Sequence, residues 1–180
     1  MRLYVVRHGQ TNLNLEHKLQ GKIGLPLNEH GIAQAEELSN ELKNIKFFKA
    51  YSSPQERAIQ TVSIATGIDK NKIIIDERLQ PCDMGEADNK VIDENLHVEF
   101  GLLPDRSLYK GVEDPNAFKA RIKSFLDEII SAYKDMDVNI IVGGHKCTTG
   151  CIEGLLNKWP EDNNFFAIST KNGKYKVYNI

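Results

Sequence analysis

The chain has 180 residues, 41% hydrophobic and 27% charged, with 23 Lys plus Arg against 25 Asp plus Glu for a formal net charge of −2. That balance is ordinary globular usage: it excludes collagen-like, low-complexity and wholly disordered classes, and it lacks the basic excess expected of a nucleic-acid or membrane-surface protein. The length fits one domain spanning residues 1–180, and no run approaches the roughly 18 apolar residues of a membrane span. The opening apolar run is too short for a signal segment, and three cysteines, Cys82, Cys147 and Cys151, form no even disulfide framework. A cytoplasmic protein with reduced thiols is expected.

Arg2 to Val6 (RLYVV) is apolar and β-branched and predicts a strand buried on both faces, ending at the polar cluster R-H-G-Q-T. From Asn28 to Ile45, Ile32, Ala35, Leu38, Leu42 and Ile45 recur at helical spacing behind Asn28 as N-cap. Lys49 to Ser52 predicts a second strand. Ser53-Pro54-Gln55-Glu56 then reads as a capping box, with Ser53 as N-cap, opening a helix to Thr66. Ile73 to Ile75 is a short third strand. Asp114-Pro115 caps a long helix carrying Phe118, Ile122, Phe125, Leu126 and Ile129 on one face. Val138 to Val142 is a buried strand, followed by Gly143-Gly144-His145 and a helix from about Lys146 to Asn157. At the end, Phe165 to Ser169 and Lys174 to Ile180 flank Lys171-Asn172-Gly173, a hairpin signal. Residues 80–113 have weak periodicity and read as an irregular insertion or lid. The alternation of strands and helices predicts an α/β fold, a three-layer α/β/α sandwich with a mostly parallel sheet.

In such sheets ligands sit beyond the carboxyl ends of the strands. Three strand ends supply Arg7, His8, Gly9 and Thr11 with Asn14; Ser52, Ser53 and Arg57; and His145. Two arginines and two histidines converging there suit a dianion, and guanidinium forks match phosphate oxygens. The helix after His145 adds its amino-terminal partial charge. A histidine flanked by arginines stays neutral near pH 7 and can attack phosphorus, and a covalent phosphohistidine splits hydrolysis into two easier steps.

The blocks V-V-R-H-G-Q-T-N-L-N, L-Q-G with L-P-L-N-E-H-G-I-A-Q-A, S-S-P-Q-E-R-A-I-Q-T and V-G-G-H resemble the histidine phosphatase superfamily, the phosphoglycerate mutase-like proteins. The resemblance is dense over about residues 2–67 and looser over 110–156. It implies His8 as the phosphorylated nucleophile, Arg7, Arg57 and His145 as a phosphate clamp, Asn14 as an auxiliary donor, and no metal or other cofactor. The implied partner is a small phosphorylated molecule or a phosphohistidine-type substrate, with neither nucleic acid nor membrane; oligomeric state is not legible.

Two departures from the family pattern bear on activity. Family members carry L-x-E-x-x-x-G, its glutamate the general acid, whereas this chain reads Leu79-Gln80-Pro81-Cys82-Asp83-Met84-Gly85, with Pro81 in the acid's place. Asp83, Glu86 and Glu113 are the candidate replacements. Lys146 follows His145 where the family often has glycine, and either extends the positive site or faces solvent. Three readings follow: a phosphatase using one of these carboxylates, a phosphatase for activated phosphates without an acid, or a phospholigand-binding or regulatory relative of weak activity. A mutase is less favoured, since the chain is short for one. His17, His30 and His97 read as surface histidines, Cys147 and Cys151 as small core residues, and Phe165 and Phe166 near Trp159 as core packing.

Overall fold

The structure, a computed structural model, describes residues 1–22 and 25–180. In chain order the elements are β1 (Arg2–Arg7), α1 (Asn12–Leu15), α2 (Glu29–Leu42), β2 (Phe47–Ser52), α3 (Glu56–Thr66), β3 (Ile74–Ile75), β4 (Val98–Phe100), β5 (Leu103–Pro104), α4 (Pro115–Tyr133), β6 (Asn139–Gly144), α5 (Lys146–Leu156) and β7 (Tyr175–Asn179). Five strands make one sheet in the order β3-β2-β6-β1-β7, and β4 and β5 pair separately. β1, β6, β2 and β3 run parallel; β7 lies antiparallel against β1 at the edge.

The period of two along β1 and β6 divides the core. Leu3, Val5, Ile140 and Val142 face a cluster with Phe118, Ile122, Phe125 and Ile129 of α4 and Ile152 of α5. Tyr4, Val6 and Ile141 face the other way, toward Leu38 and Leu42 of α2 and Val62 and Ala65 of α3. The sheet is therefore covered on both faces, which is why its central strands read as unbroken apolar runs. Caps fix the helix starts: Asn28 accepts from the Gly31 amide (2.8 Å) and Asp114 from Asn116 and Ala117 (2.8 and 3.1 Å) ahead of Pro115. Among the described residues no helix is long and apolar enough to cross a membrane.

Two expectations are corrected. Residues 165–169 form turns and not a hairpin strand: Phe165 stacks on Phe118 (centroids 5.6 Å) and on Phe166 (4.6 Å), and consecutive buried rings cannot alternate faces as a strand requires. β7 pairs with β1 instead. The helix expected from Ser53 begins at Glu56, because the Ser53 hydroxyl bonds His145 (2.7 Å) and accepts from the Gln55 amide (3.2 Å). The 80–113 segment is built of short local elements. It holds a single-turn helix at Gly85–Ala87, the β4–β5 pair, and antiparallel bridges from Lys18 to Val91 and from Met84 to Val112.

Candidate active site

The carboxyl ends of β1, β2 and β6 lie side by side, stitched by His8 N–H to Gly144 O (3.0 Å) and Ser53 N–H to Gly143 O (3.1 Å). Arg7 closes β1, His8 follows it, Arg57 sits in the first turn of the helix after β2, and His145 caps α5 after β6. The sheet thus converts residues distant in sequence into neighbours; the His8 and His145 ring centroids are 5.2 Å apart. Gly9 lets the chain turn away at once, since a Cβ there would collide with the Gly31 backbone, and the Thr61 hydroxyl accepts the Gly9 amide (3.0 Å).

The His8 Nδ1 lies 2.6 Å from the Gly9 carbonyl, which can only accept. The proton is therefore on Nδ1, and Nε2 carries the lone pair. Burial, then the charges of Arg57 and Arg7, holds His8 well below the usual histidine range. His145 is held down in the same way, by burial, Arg57, His8 and Arg7. Its Nε2 lies 2.7 Å from the Ser53 hydroxyl, which also accepts from the Gln55 amide. Its Nδ1 is a buried atom with no partner among the described residues. A buried ring nitrogen left open in this way is suited to an incoming ligand.

Arg7 donates to the Thr170 carbonyl (3.1 Å), and Arg57, fully buried, donates to the Gly21 carbonyl (2.8 Å). Burial lowers both arginines, to about 10, so both remain cationic at neutral pH. Asn14 has its side-chain oxygen occupied by Thr11 and Asn172, which leaves its amide nitrogen for a ligand. Arg7, His8, Asn14 and His145 line a cleft of about 310 Å³, whereas the fully buried Arg57 is not among its lining residues. Its lining combines the apolar side chains of Leu19, Met84, Leu102 and Phe166 with two cations, Lys18 and Lys146. Lys146 is half-buried, so of its two expected placements the cleft is the observed one.

The description of the histidine phosphatase superfamily (branch 1) fits the chain over residues 3–179, nearly its whole length. The chain belongs to that superfamily. A Hydrogenobacter thermophilus protein named "Putative phosphoserine phosphatase 2" is 29% identical over 167 residues, 88% of this chain and 82% of the relative. The phosphatase PhoE of Bacillus subtilis, itself uncharacterized, is 29% identical over 78% of this chain and 70% of its own. The crystal structure of the alpha-ribazole phosphatase from Shigella flexneri superposes with a TM-score of 0.82 at 22% identity, covering 98% of this chain and 89% of that one, a likeness of fold.

Beside that histidine phosphatase framework, the candidate acids stand apart from the cleft. Among the described residues no Asp or Glu lines it. Glu113 grips Arg121 with both oxygens (2.8 Å each) and accepts the Asp83 amide (3.2 Å), while Arg121 also donates to the carbonyls of Arg78, Gln80 and Pro81. This pair pins the backbone at Pro81, the place of the family acid. Asp83 pairs with Lys22 (2.9 Å) and accepts from Gly85; burial works against ionisation, but these partners outweigh it and hold the carboxyl below its usual range. Glu86 is exposed and accepts from the Lys110 amide. Sequence reasoning missed Asn172, whose amide donates to the His8 carbonyl (3.0 Å) and reaches Asn14, and Gln20, whose oxygen accepts from Thr11. His17 is exposed, as a surface histidine should be, and also lines the cleft, with φ of 53°. The Asn172-Gly173 signal marked a real turn, with Gly173 at φ 61°, but the turn serves the site and no hairpin.

Proposed function

We propose that the protein is a metal-independent phosphatase that hydrolyses phosphate monoesters or activated phosphates through a phosphohistidine on His8. The observation that carries this reading is the His8 tautomer: Nδ1 is held by Gly9, and Nε2 is free beside two cationic arginines. Nε2 attacks phosphorus and the bond to the leaving oxygen breaks. Water then attacks the phosphohistidine, the P–N bond breaks, and inorganic phosphate leaves with His8 restored. Arg7, Arg57, His145 and the Asn14 amide hold the equatorial oxygens, whose charge is spread in the transition state.

Because no described carboxylate faces the cleft, the leaving oxygen takes its proton from water, and substrates with good leaving groups, aryl, acyl or imidazole-bound phosphates, are favoured. Protonation by a placed acid contributes about 10² to 10⁴ in rate, so simple alkyl esters fall behind by roughly that factor. The same gap supports a second reading, a phospholigand-binding relative of weak activity. Phosphate release from p-nitrophenyl phosphate and from ethyl phosphate, by wild type and His8→Ala, tests both. Rapid turnover of the aryl ester that vanishes in the variant supports the phosphatase. Equal rates in the two proteins remove the covalent mechanism and leave binding.

A further inference from the structure

The cleft's charges do not balance once phosphate is in place. A phosphate monoester dianion is matched by Arg7 and Arg57, and the two buried histidines are held neutral by their surroundings. Two further cations line the walls. Lys18 is already paired with Glu16 at 2.7 Å. Lys146 has no ion pair and no side-chain hydrogen bond among the described residues, although it is half-buried, stands next to His145 in the first turn of α5, and faces the repulsion of Arg7. No acidic residue among those described lines the cleft to offset it. A desolvated cation with no counter-ion in its own protein is stabilised when a ligand brings the charge.

Building on the phosphatase reading above, we propose that Lys146 forms a second anion subsite, and that the substrate carries a carboxylate a short chain away from its phosphate. A carboxylate fits better than a second phosphate because one lysine matches one charge, and a second dianion would leave an excess. The same count disfavours substrates with an ammonium group, which would meet Lys146 and Lys18 with no carboxylate to receive it. The apolar lining of Met84, Leu102 and Phe166 faces the carbon chain between the two anions.

Three esters of nearly equal size isolate the charge: phosphoglycolate, ethyl phosphate and phosphoethanolamine. With wild type, kcat/KM falls in that order, by about tenfold at the first step, the equivalent of one charge-assisted contact. In Lys146→Met, which keeps length and loses charge, the order collapses to within about threefold; Lys146→Arg retains it. Equal kcat/KM for the three in wild type, or an unchanged order in Lys146→Met, overturns the subsite while leaving the phosphatase reading intact. A fall of kcat on all three alkyl esters with p-nitrophenyl phosphate spared makes Lys146 a proton donor and overturns it too. If none of the three alkyl esters turns over, p-nitrophenyl phosphate decides the phosphatase reading, which fails only if that ester is left unhydrolysed as well, and calorimetric titration of the same three ligands into His8→Ala and into His8→Ala/Lys146→Met decides the subsite alone: tighter binding of phosphoglycolate that depends on Lys146 supports it, and equal affinities overturn it.

Discussion

The floor of the cleft and its walls are built on opposite principles. On the floor, Arg7, His8, Arg57 and His145 follow parallel strands, are mostly buried, and are each tied to a backbone carbonyl or to Ser53. Part of the wall, Met84, Ile92 and Leu102, comes from residues 80–113, where strands are two or three residues long and touch the main sheet through no ladder. A sheet edge fixes atoms to within a fraction of an ångström, as transfer of a phosphoryl group requires, whereas a loop wall can be rebuilt without disturbing it. The division separates chemistry from recognition: the floor determines whether phosphorus is attacked, the wall which organic group is admitted.

If that division holds, floor variants lower kcat for every substrate. His8→Ala removes the nucleophile and is expected to lower turnover on the order of 10³-fold or more on aryl and alkyl esters alike. Retention of an acid-labile phosphoenzyme in that variant, followed by mass spectrometry, would break the assignment. Arg57→Lys keeps the charge but loses the planar fork, and its fully buried site does not let water fill the gap. A loss of about 10² in kcat is expected, with vanadate inhibition weakened in parallel. An unchanged inhibition constant would move Arg57 out of the clamp and into the scaffold.

Legibility in sequence follows the same boundary. α2 and α4 could be read because their apolar spacing and the caps at Asn28 and Asp114 are local signals. The polar residues at three strand ends could be collected because the rule that places ligands there is geometric and general. Ser53 was misread as a helix cap because its hydroxyl is also bonded to His145, a residue 92 positions away. Asn172 looked like a hairpin turn for a similar reason: nothing local says that its amide reaches the carbonyl of His8. The 80–113 segment has no period because its backbone is held by single bridges and by Arg121, and such contacts leave no repeat.

The floor's burial also predicts how stability responds to pH. His8 and His145 are held below 6.5, so between their folded values and about 6.5 the unfolded chain binds more protons than the folded one. Stability therefore falls as pH drops below about 6.5, by up to about 1.4 kcal/mol per pH unit for each histidine, and levels off below the folded values. The carboxylates with lowered values, Asp76 and Asp83 among them, act only below about 4, and Asp88, raised by burial, works in the opposite sense, so a fall in stability from 6.5 to 5 belongs to the histidines. Urea midpoints across that interval are expected to fall in wild type and to fall about half as steeply in His145→Asn. A flat wild-type profile would mean that neither ring is kept neutral by folding.

The smallest effect belongs to the wall. Leu102 is partly buried beside Met84 and Phe166, on the cleft side of the β4–β5 turn. Truncation to alanine removes apolar surface that a bound organic group would cover, about 1 kcal/mol, or roughly fivefold in KM for a substrate with a bulky carbon chain. Inorganic phosphate does not reach that wall, and its inhibition constant is expected to stay the same. kcat is expected to stay within about twofold, because the Leu102 side chain touches none of the groups that hold the equatorial oxygens. A parallel fall in kcat and in phosphate affinity would show that the wall positions the floor, and the separation of chemistry from recognition would then fail at the residue where it is easiest to test.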